Sequence, residues 1–335
     1  MNCILGIDTS NYTTSAAVVT EDGVVIADAR RMLSVAKGRR GLRQSDAVFQ
    51  HVRNLPQVIE EAMEQARAED DNLQISAIAA SSRPRPVSGS YMPCFLPGEN
   101  FARSMAQVLG VRFLATSHQE GHIAALLPEC GFDAEEGFLS FHLSGGTCEL
   151  LDVVQTAPGR LQIEIVGGSR DISFGQLIDR VGVALGMSFP AGAQMDRVAI
   201  AGPTNLAENE IALPKIKCIQ GYVHVSGIEA AAMRLRDAGY PEDRLIEEIF
   251  YRMGQAVVEI CRHGSKMTGR DKVMLAGGVS TSRTLGRYIK AYNMRTAATT
   301  EEPFIWKCDS DRGRDNATGV ALTGLALYNS GDRGI

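Results

Sequence analysis

Apolar and polar positions alternate at the start of the chain. Cys3 to Asp8, Ser15 to Thr20 and Val24 to Ala29 read as three strands. Asp22-Gly23 supplies the hairpin turn between the second and third. The period then changes. Val48, Val52, Leu55, Ile59 and Met63 recur at helical spacing and predict an amphipathic helix from about Asp46 to Glu69. A strand (Ile75 to Ala80), a Pro/Gly-rich loop (Arg83 to Pro97), a helix (about Glu99 to Leu109) and a strand (Val111 to Thr116) complete this half.

The order starts again near Gly137. Phe138 to Leu143, Cys148 to Val154 and Leu161 to Val166 read as strands. Helices follow from about Ile172 to Gly186 and about Glu242 to Met267. Lys272 to Ala276 is a buried-type strand, Arg283 to Ala291 a helix, Phe304 to Trp306 a strand and Asn316 to Tyr328 a closing helix. Two βββαβα halves imply an α/β fold of two similar lobes with a ligand cleft between them. We expect lobe I to span 1–115 with the C-terminal helix, about 316–335, and lobe II to span 116–315. The two halves are unlike in sequence, so this repeat rests on element order alone.

Composition narrows the class. Apolar content of 44% and charge of 22% are those of a soluble globular protein. The longest apolar stretch, Ala317 to Tyr328, is broken by Gly319 and Gly324 and falls short of the roughly 20 residues that span a bilayer. Met1-Asn2-Cys3-Ile4 enters a strand directly, so we expect no signal peptide and a cytoplasmic location. Seven cysteines without a C-x-x-C pair argue for reduced thiols and against a structural zinc knuckle. A net charge of -5 gives no global nucleic-acid footprint. Locally, Arg30, Arg31, Lys37, Arg39, Arg40 and Arg43 crowd together with no acid among them. Such a run is either a solvated loop or a phosphate-backbone contact.

The chemistry-bearing motifs lie at the ends of strands. His118-Gln119-Glu120-Gly121-His122 puts two imidazoles four residues apart, on one face of a helical turn. They are either satisfied surface histidines or a metal pair. A third ligand could come from Asp315, in Asp315-Asn316-Ala317, and His142 is a further candidate. Two imidazoles and a carboxylate suit zinc or iron with positions left for substrate. The zincin pattern H-E-x-x-H needs Glu at 119. Glu120 is one step late, and its carboxylate points away from where a hydrolytic base belongs. Gly6-Ile7-Asp8-Thr9-Ser10 and Leu143-Ser144-Gly145-Gly146-Thr147 stand at equivalent points of the two halves. Each is a hairpin turn or a place where backbone N–H groups converge on phosphate, and Asp8 could hold a cation or a water. Ala276-Gly277-Gly278-Val279-Ser280, between a strand and a helix, is a tight turn or an approach for ribose or adenine. No Walker A and no G-x-G-x-x-G occur.

Together these motifs resemble the TsaD/Kae/Gcp family, the threonylcarbamoyl transferases of tRNA, also described as glycoproteases of peptidase family M22. The resemblance runs over nearly the whole chain. His118 to His122 is similar to H-x-E-G-H, Leu143 to Gly146 to V-S-G-G and Gly175 to Arg180 to G-E-A-F-D-K. Phe189 to Gly192 is similar to Y-P-G-G, Ala276 to Arg283 to A-G-G-V-S-A-N-R and Asp315-Asn316 to the start of D-N-G. The resemblance implies an actin/Hsp70/sugar-kinase-type ATPase fold. It also implies metal-dependent transfer of threonylcarbamoyl from threonylcarbamoyl-adenylate to the N6 amine of an adenosine in tRNA, within a complex of partner proteins. By it, His118, His122, Asp315 and His142 hold one divalent metal, iron or zinc. His142, Leu143, Ser144, Gly145 and Gly146 line the phosphate and carbamoyl end, with Asp8. Asp179 binds a ribose, and Gly192, Gly277, Gly278 and Ser282 flank the nucleoside of an adenylate, ATP or AMP. By charge, Arg39, Arg40 and Arg43 are the expected tRNA contact.

The chain departs from the family pattern at Tyr12 and Thr13, at Thr147-Cys148-Glu149, at Ser282, and where Arg83-Pro84-Arg85-Pro86-Val87 replaces G-P-G-L. These changes spare the metal ligands and suggest a divergent paralogue. The rival readings are a small-molecule carbamoyltransferase and a non-catalytic nucleotide-binding partner in a tRNA-modification complex. A protease is the weakest.

Overall fold

The opening strands form as their alternation predicts: β1 (Asn2–Thr9), β2 (Thr13–Thr20) and β3 (Val25–Met32). The structure is a computed structural model and describes residues 1–10, 12–35, 42–201, 210–300, 305–307 and 317–331. Then come α1 (Gln44–Glu69), β4 (Gln74–Arg83), a 3-10 turn (Pro93–Phe95), α2 (Leu96–Leu109), β5 (Arg112–Ser117) and α3 (His118–Cys130). β1 to β3 pair antiparallel, and β1, β4 and β5 pair parallel, in the sheet order β3-β2-β1-β4-β5.

The second half begins with β6 (Phe138–Leu143), β7 (Cys148–Ala157) and β8 (Arg160–Ser169). Helices α4 (Phe174–Ala184) and α5 (Gly192–Ala201) follow, then β9 (Tyr222–Val223), α6 (Ser226–Asp237) and α7 (Glu242–Thr268). β10 (Lys272–Ala276), α8 (Arg283–Thr300), β11 (Ile305–Lys307) and α9 (Ala317–Asn329) close the chain. The second sheet runs β11-β10-β6-β7-β8-β9. Its run β8-β7-β6-β10-β11 repeats β3-β2-β1-β4-β5 strand for strand, with β6, β10 and β11 parallel. The duplicated order read from the sequence is thus a duplicated topology, that of the actin/Hsp70/sugar-kinase ATPases. α5, α6 and β9 are additions to it that hydrophobic periodicity did not reveal.

The chain divides into two compact units. The first holds Met1–Glu136, Val154–Gln162 and Arg314–Ile335, and the second Gly137–Val153 and Ile163–Gly313. α3 therefore lies with the first unit, where the expected division after residue 115 would separate it. Its packing on α9 explains this. A Cβ on Gly319 would stand 1.8 Å from the Gly121 carbonyl oxygen, so the two helices meet backbone to backbone. In the first unit the sheet is covered on both faces. Leu5, Ile7 and Ile78 pack with Leu55 and Val58 of α1 and Ala102 of α2, while Ile4, Ala77 and Ala79 pack with Val320 and Ala321 of α9. The second unit has its own core around Phe141, Leu150, Phe174, Phe250 and Val257.

The buried face of α1 differs from the expected stripe. Ala47, His51, Leu55, Val58, Ala62 and Ala66 are buried, whereas Val52 is 46% exposed. Four-residue spacing of large apolar side chains pointed one step round the helix. Alanines let α1 lie close on β2 and β3, and the larger side chains border the contact. No helix among the described residues is long and apolar enough to cross a membrane.

Candidate active site

In the first unit the histidine pair forms on the first turn of α3. Ser117 is its N-cap, and the capping box is complete. The Ser117 Oγ accepts the Glu120 amide at 3.2 Å, and Glu120 Oε2 accepts the Ser117 amide at 2.8 Å and the Ser117 hydroxyl at 2.7 Å. Glu120, 5% exposed, is thus spent on holding the helix start, which removes it as a hydrolytic base. The capped turn brings His118 Nε2 and His122 Nε2 to 3.0 Å from each other.

β1 supplies the orienting group. Asp8 is fully buried, and its Oδ1 lies 3.0 Å from His118 Nδ1 and accepts the Ser81 hydroxyl from β4. A carboxylate on Nδ1 fixes the tautomer and leaves the His118 Nε2 lone pair directed at His122. Asp8 Oδ2 is buried with no hydrogen-bond partner among the described residues. Two imidazole nitrogens about 2.0–2.1 Å from one ion would stand about 2.9–3.4 Å apart, for angles of about 90–110° at the ion. The observed spacing and the carboxylate behind His118 therefore fit a cation between the two Nε2 atoms. Among the described residues no third metal-ligating side chain joins the pair. Asp315 lies outside the described residues. α9, which begins two residues after it, packs on α3.

Sequence reasoning missed two supports of this site. Ser81 is one. The other is His51 on α1, fully buried, with Nδ1 2.8 Å from the Thr14 hydroxyl and Nε2 2.7 Å from the Ser10 carbonyl. It holds the backbone at Ser10, just past the end of β1. Burial pushes its pKa below the ordinary 6.5, against the Ser10 carbonyl and Asp8, which raise it. Its recurrence in step with Ala47 and Leu55 was the signal available.

In the second unit three turns converge. The Ser144 Oγ accepts the amides of Gly146 (3.4 Å) and Thr147 (3.1 Å), closing the loop after β6. Ser173, the N-cap of α4, donates its hydroxyl to the Gly145 carbonyl at 2.8 Å. Gly175 has no room for a side chain, because a Cβ would stand 2.4 Å from the Ser144 oxygen. On the other flank Gly277 takes φ +93°, and a Cβ there would stand 2.4 Å from the Leu143 oxygen. The Val279 amide donates to that same oxygen at 2.9 Å. Gly145, Gly146 and Gly278 face open space. His142, the penultimate residue of β6, lies beside Gly277 and is 8% exposed. Cys148, just after this loop, is buried with its thiol pushed up to about 12, so it is no nucleophile at neutral pH.

Asp179, Gly192 and Ser282 gather around α5. Asp179 Oδ1 accepts the Ala191 amide at 2.8 Å, and burial raises its pKa above the usual carboxylate value while that amide lowers it. Ser282 donates to Asp196 Oδ1 at 2.6 Å, and Asp196 also accepts the amides of Arg283 and Thr284 at the start of α8. Asp196 ties α5 to α8, a role its sequence context did not announce. In the basic run, Arg30 pairs with Asp28 and Arg31 with Gln57, while Arg43 is exposed at the start of α1. Lys37, Arg39 and Arg40 lie outside the described residues.

Comparison with known proteins finds relatives over most of the chain. A family model described as tRNA N6-adenosine threonylcarbamoyltransferase, TsaD, matches residues 32–304. A protein of that name from Thermus thermophilus is 30% identical over 289 residues, spanning 86% of this chain and 84% of its own. One from Methanopyrus kandleri is 26% identical over 341 residues, spanning 99% and 89%. Among solved structures, HypF from T. kodakarensis superposes with a TM-score of 0.64 at 14% identity, covering 98% of this chain, which spans 48% of that longer one. The activator of 2-hydroxyisocaproyl-CoA dehydratase from Clostridium difficile, with bound ADPNP, gives 0.51 at 10% identity over 98% and 96%. These last two likenesses show the fold. With the capped histidine turn and the glycine turns in place on that fold, the matches over most of its length show that this chain belongs to the tRNA N6-adenosine threonylcarbamoyltransferase family and is a carbamoyl-transferring enzyme.

Proposed function

We propose that this chain transfers a threonylcarbamoyl group from threonylcarbamoyl-adenylate to the N6 amine of an adenosine in tRNA, and that it needs a divalent metal to do so. The histidine geometry carries this reading. His118 and His122 present facing Nε2 atoms 3.0 Å apart, with Asp8 behind His118. His118, His122 and Asp315 would hold the metal, with His142 as a fourth candidate, and iron or zinc suits that set. Bound there, it would supply Lewis-acid polarisation of the substrate's oxygens.

The chain's own groups bind and orient. Gly145, Gly146 and Gly278 border open space, and these turns suit the phosphate and carbamoyl end, where charge develops as the bond to AMP breaks. Asp179 suits a ribose, with Gly192, Gly277 and Ser282 about the nucleoside. Leu143 contributes through its carbonyl, which fixes the Gly277 turn. The acceptor amine forms the new N–C bond as the C–O bond to AMP breaks, and the proton it loses passes to solvent. Arg39, Arg40 and Arg43 are the proposed tRNA contact, and a cytoplasmic complex with partner proteins the proposed setting. The replaced G-P-G-L segment and Ser282 support divergence from the family's usual members.

The test is elemental analysis of purified wild type and variants, followed by a tRNA acceptor assay. We expect about one equivalent of transition metal in wild type, none in His118→Ala, and transfer lost with it. Asp8→Asn removes the group that orients His118 and should weaken metal retention by about 10–100-fold against a chelator. Full transfer by metal-free His118→Ala protein would overturn the proposal.

A further inference from the structure

Arg83, which opens the segment standing in place of G-P-G-L, lines a cavity of about 260 Å³ in the first unit. Its walls are Ser82 and Arg83 from the end of β4, Ser90, Glu99 and Arg103 from α2, and Arg160 from the start of β8. Three guanidinium groups face one carboxylate. That carboxylate is already engaged: Glu99 Oε1 accepts Arg103 Nε at 2.9 Å and Nη2 at 2.8 Å. Arg103 is further fixed by stacking its guanidinium 4.3 Å over the Phe113 ring.

Arg83 is the informative member. It is half-buried, its Nε is wholly buried without a hydrogen-bond partner, and it makes no ion pair among the described residues. A donor atom shielded from solvent and left unmatched is made good by a ligand that accepts from it. Local structure holds it there. The β4–β5 register shifts between Ser81 and Arg83, so Ser81 faces Asp8 while Arg83, opposite Ser117, reaches the cavity. The Pro84 carbonyl accepts the Gln119 amide at 3.0 Å, which ties this strand end to the first turn of α3. Ser90 accepts the Arg85 amide at 3.0 Å, folding the loop back over the site.

We propose that this cavity is a second ligand site, distinct from the histidine pair, that binds the phosphate of a small phosphoester. Arginine forks match phosphate oxygens bidentately, and a phosphomonoester carries close to two negative charges at neutral pH. The volume equals the share of roughly nine waters at about 30 Å³ each, enough for a phosphate with a small substituent. A polynucleotide backbone is matched by exposed cations along a surface, whereas Arg83 is sunk in a concavity.

The site is tested on the full chain with inorganic phosphate as probe, by 31P NMR titration and thermal melts at constant ionic strength. Phosphate should bind wild type and raise its melting temperature. Arg83→Met should weaken that binding at least tenfold and should lose the rise in melting temperature that phosphate gives wild type. Phosphate held at the Ser144–Thr147 loop would survive this change, so the two sites are separable. Arg160→Gln should weaken binding several-fold and Glu99→Gln should tighten it, and these two decide if Arg83→Met does not fold. Equal phosphate binding by wild type and the arginine variants overturns the proposal, as does no binding by wild type at 10 mM. Displacement of phosphate by tRNA would overturn the small phosphoester as its source.

Discussion

At the residue scale, the site depends on buried polar groups that hold others in place. Asp8 and His51 do so from different elements, and each is fully buried. His51 has a measurable consequence. Burial holds its folded pKa below 6.5, so the unfolded chain takes up the proton first. Its contribution to stability is whole above about pH 6.5 and is lost as pH falls through that value toward the lower folded pKa. His51→Gln keeps a hydrogen-bonding side chain without the titration. Its urea midpoint should fall less than that of wild type between about pH 7 and pH 5, and parallel pH profiles would reject the assignment. The histidine pair was legible because two residues four apart on a helix share a face whatever surrounds them. Asp196 was not, because its partners Ser282, Arg283 and Thr284 are more than eighty positions away.

At the element scale, strands and most long helices were read within a few residues of their bounds, because each buries one face or one stripe, whereas α8 runs nine residues past the expected end at Ala291. The missed elements share a cause. α5 and α6 are short and rich in small residues, and β9 has two residues, too few to show a period. The face of α1 was misjudged because its contact is built from alanines, which weigh little in a hydrophobic pattern. Close helix packing also decides how glycines behave. Gly319→Ala pushes a methyl group into the Gly121 carbonyl and should cost about 1–3 kcal/mol or more in urea denaturation. Gly286→Ala, inside α8 with nothing within 4 Å of the new methyl, should stabilise by about 0.5–1 kcal/mol. Equal effects of the two would mean that α3 and α9 do not meet backbone to backbone.

At the scale of the whole molecule, net charge repels a polyanion, so any tRNA affinity must come from a local basic surface. Arg43 is exposed at the start of α1, next to the run it belongs to. Arg43→Glu should weaken tRNA binding and lower the slope of log affinity against log salt by roughly 0.7 for one lost contact, measured by filter binding. An unchanged slope would place tRNA elsewhere. The sequence by itself determined the α/β class, the duplicated order of elements, the histidine pair and the glycine turns, because period and steric rules act over a few neighbouring residues. Only the tertiary structure decided that α3 packs with α9 in the first unit, that Asp8 and Ser81 stand behind His118, and that Arg83 lines a cavity. Those facts depend on groups from separate elements meeting in space, and the spacing along the chain carries no record of such meetings.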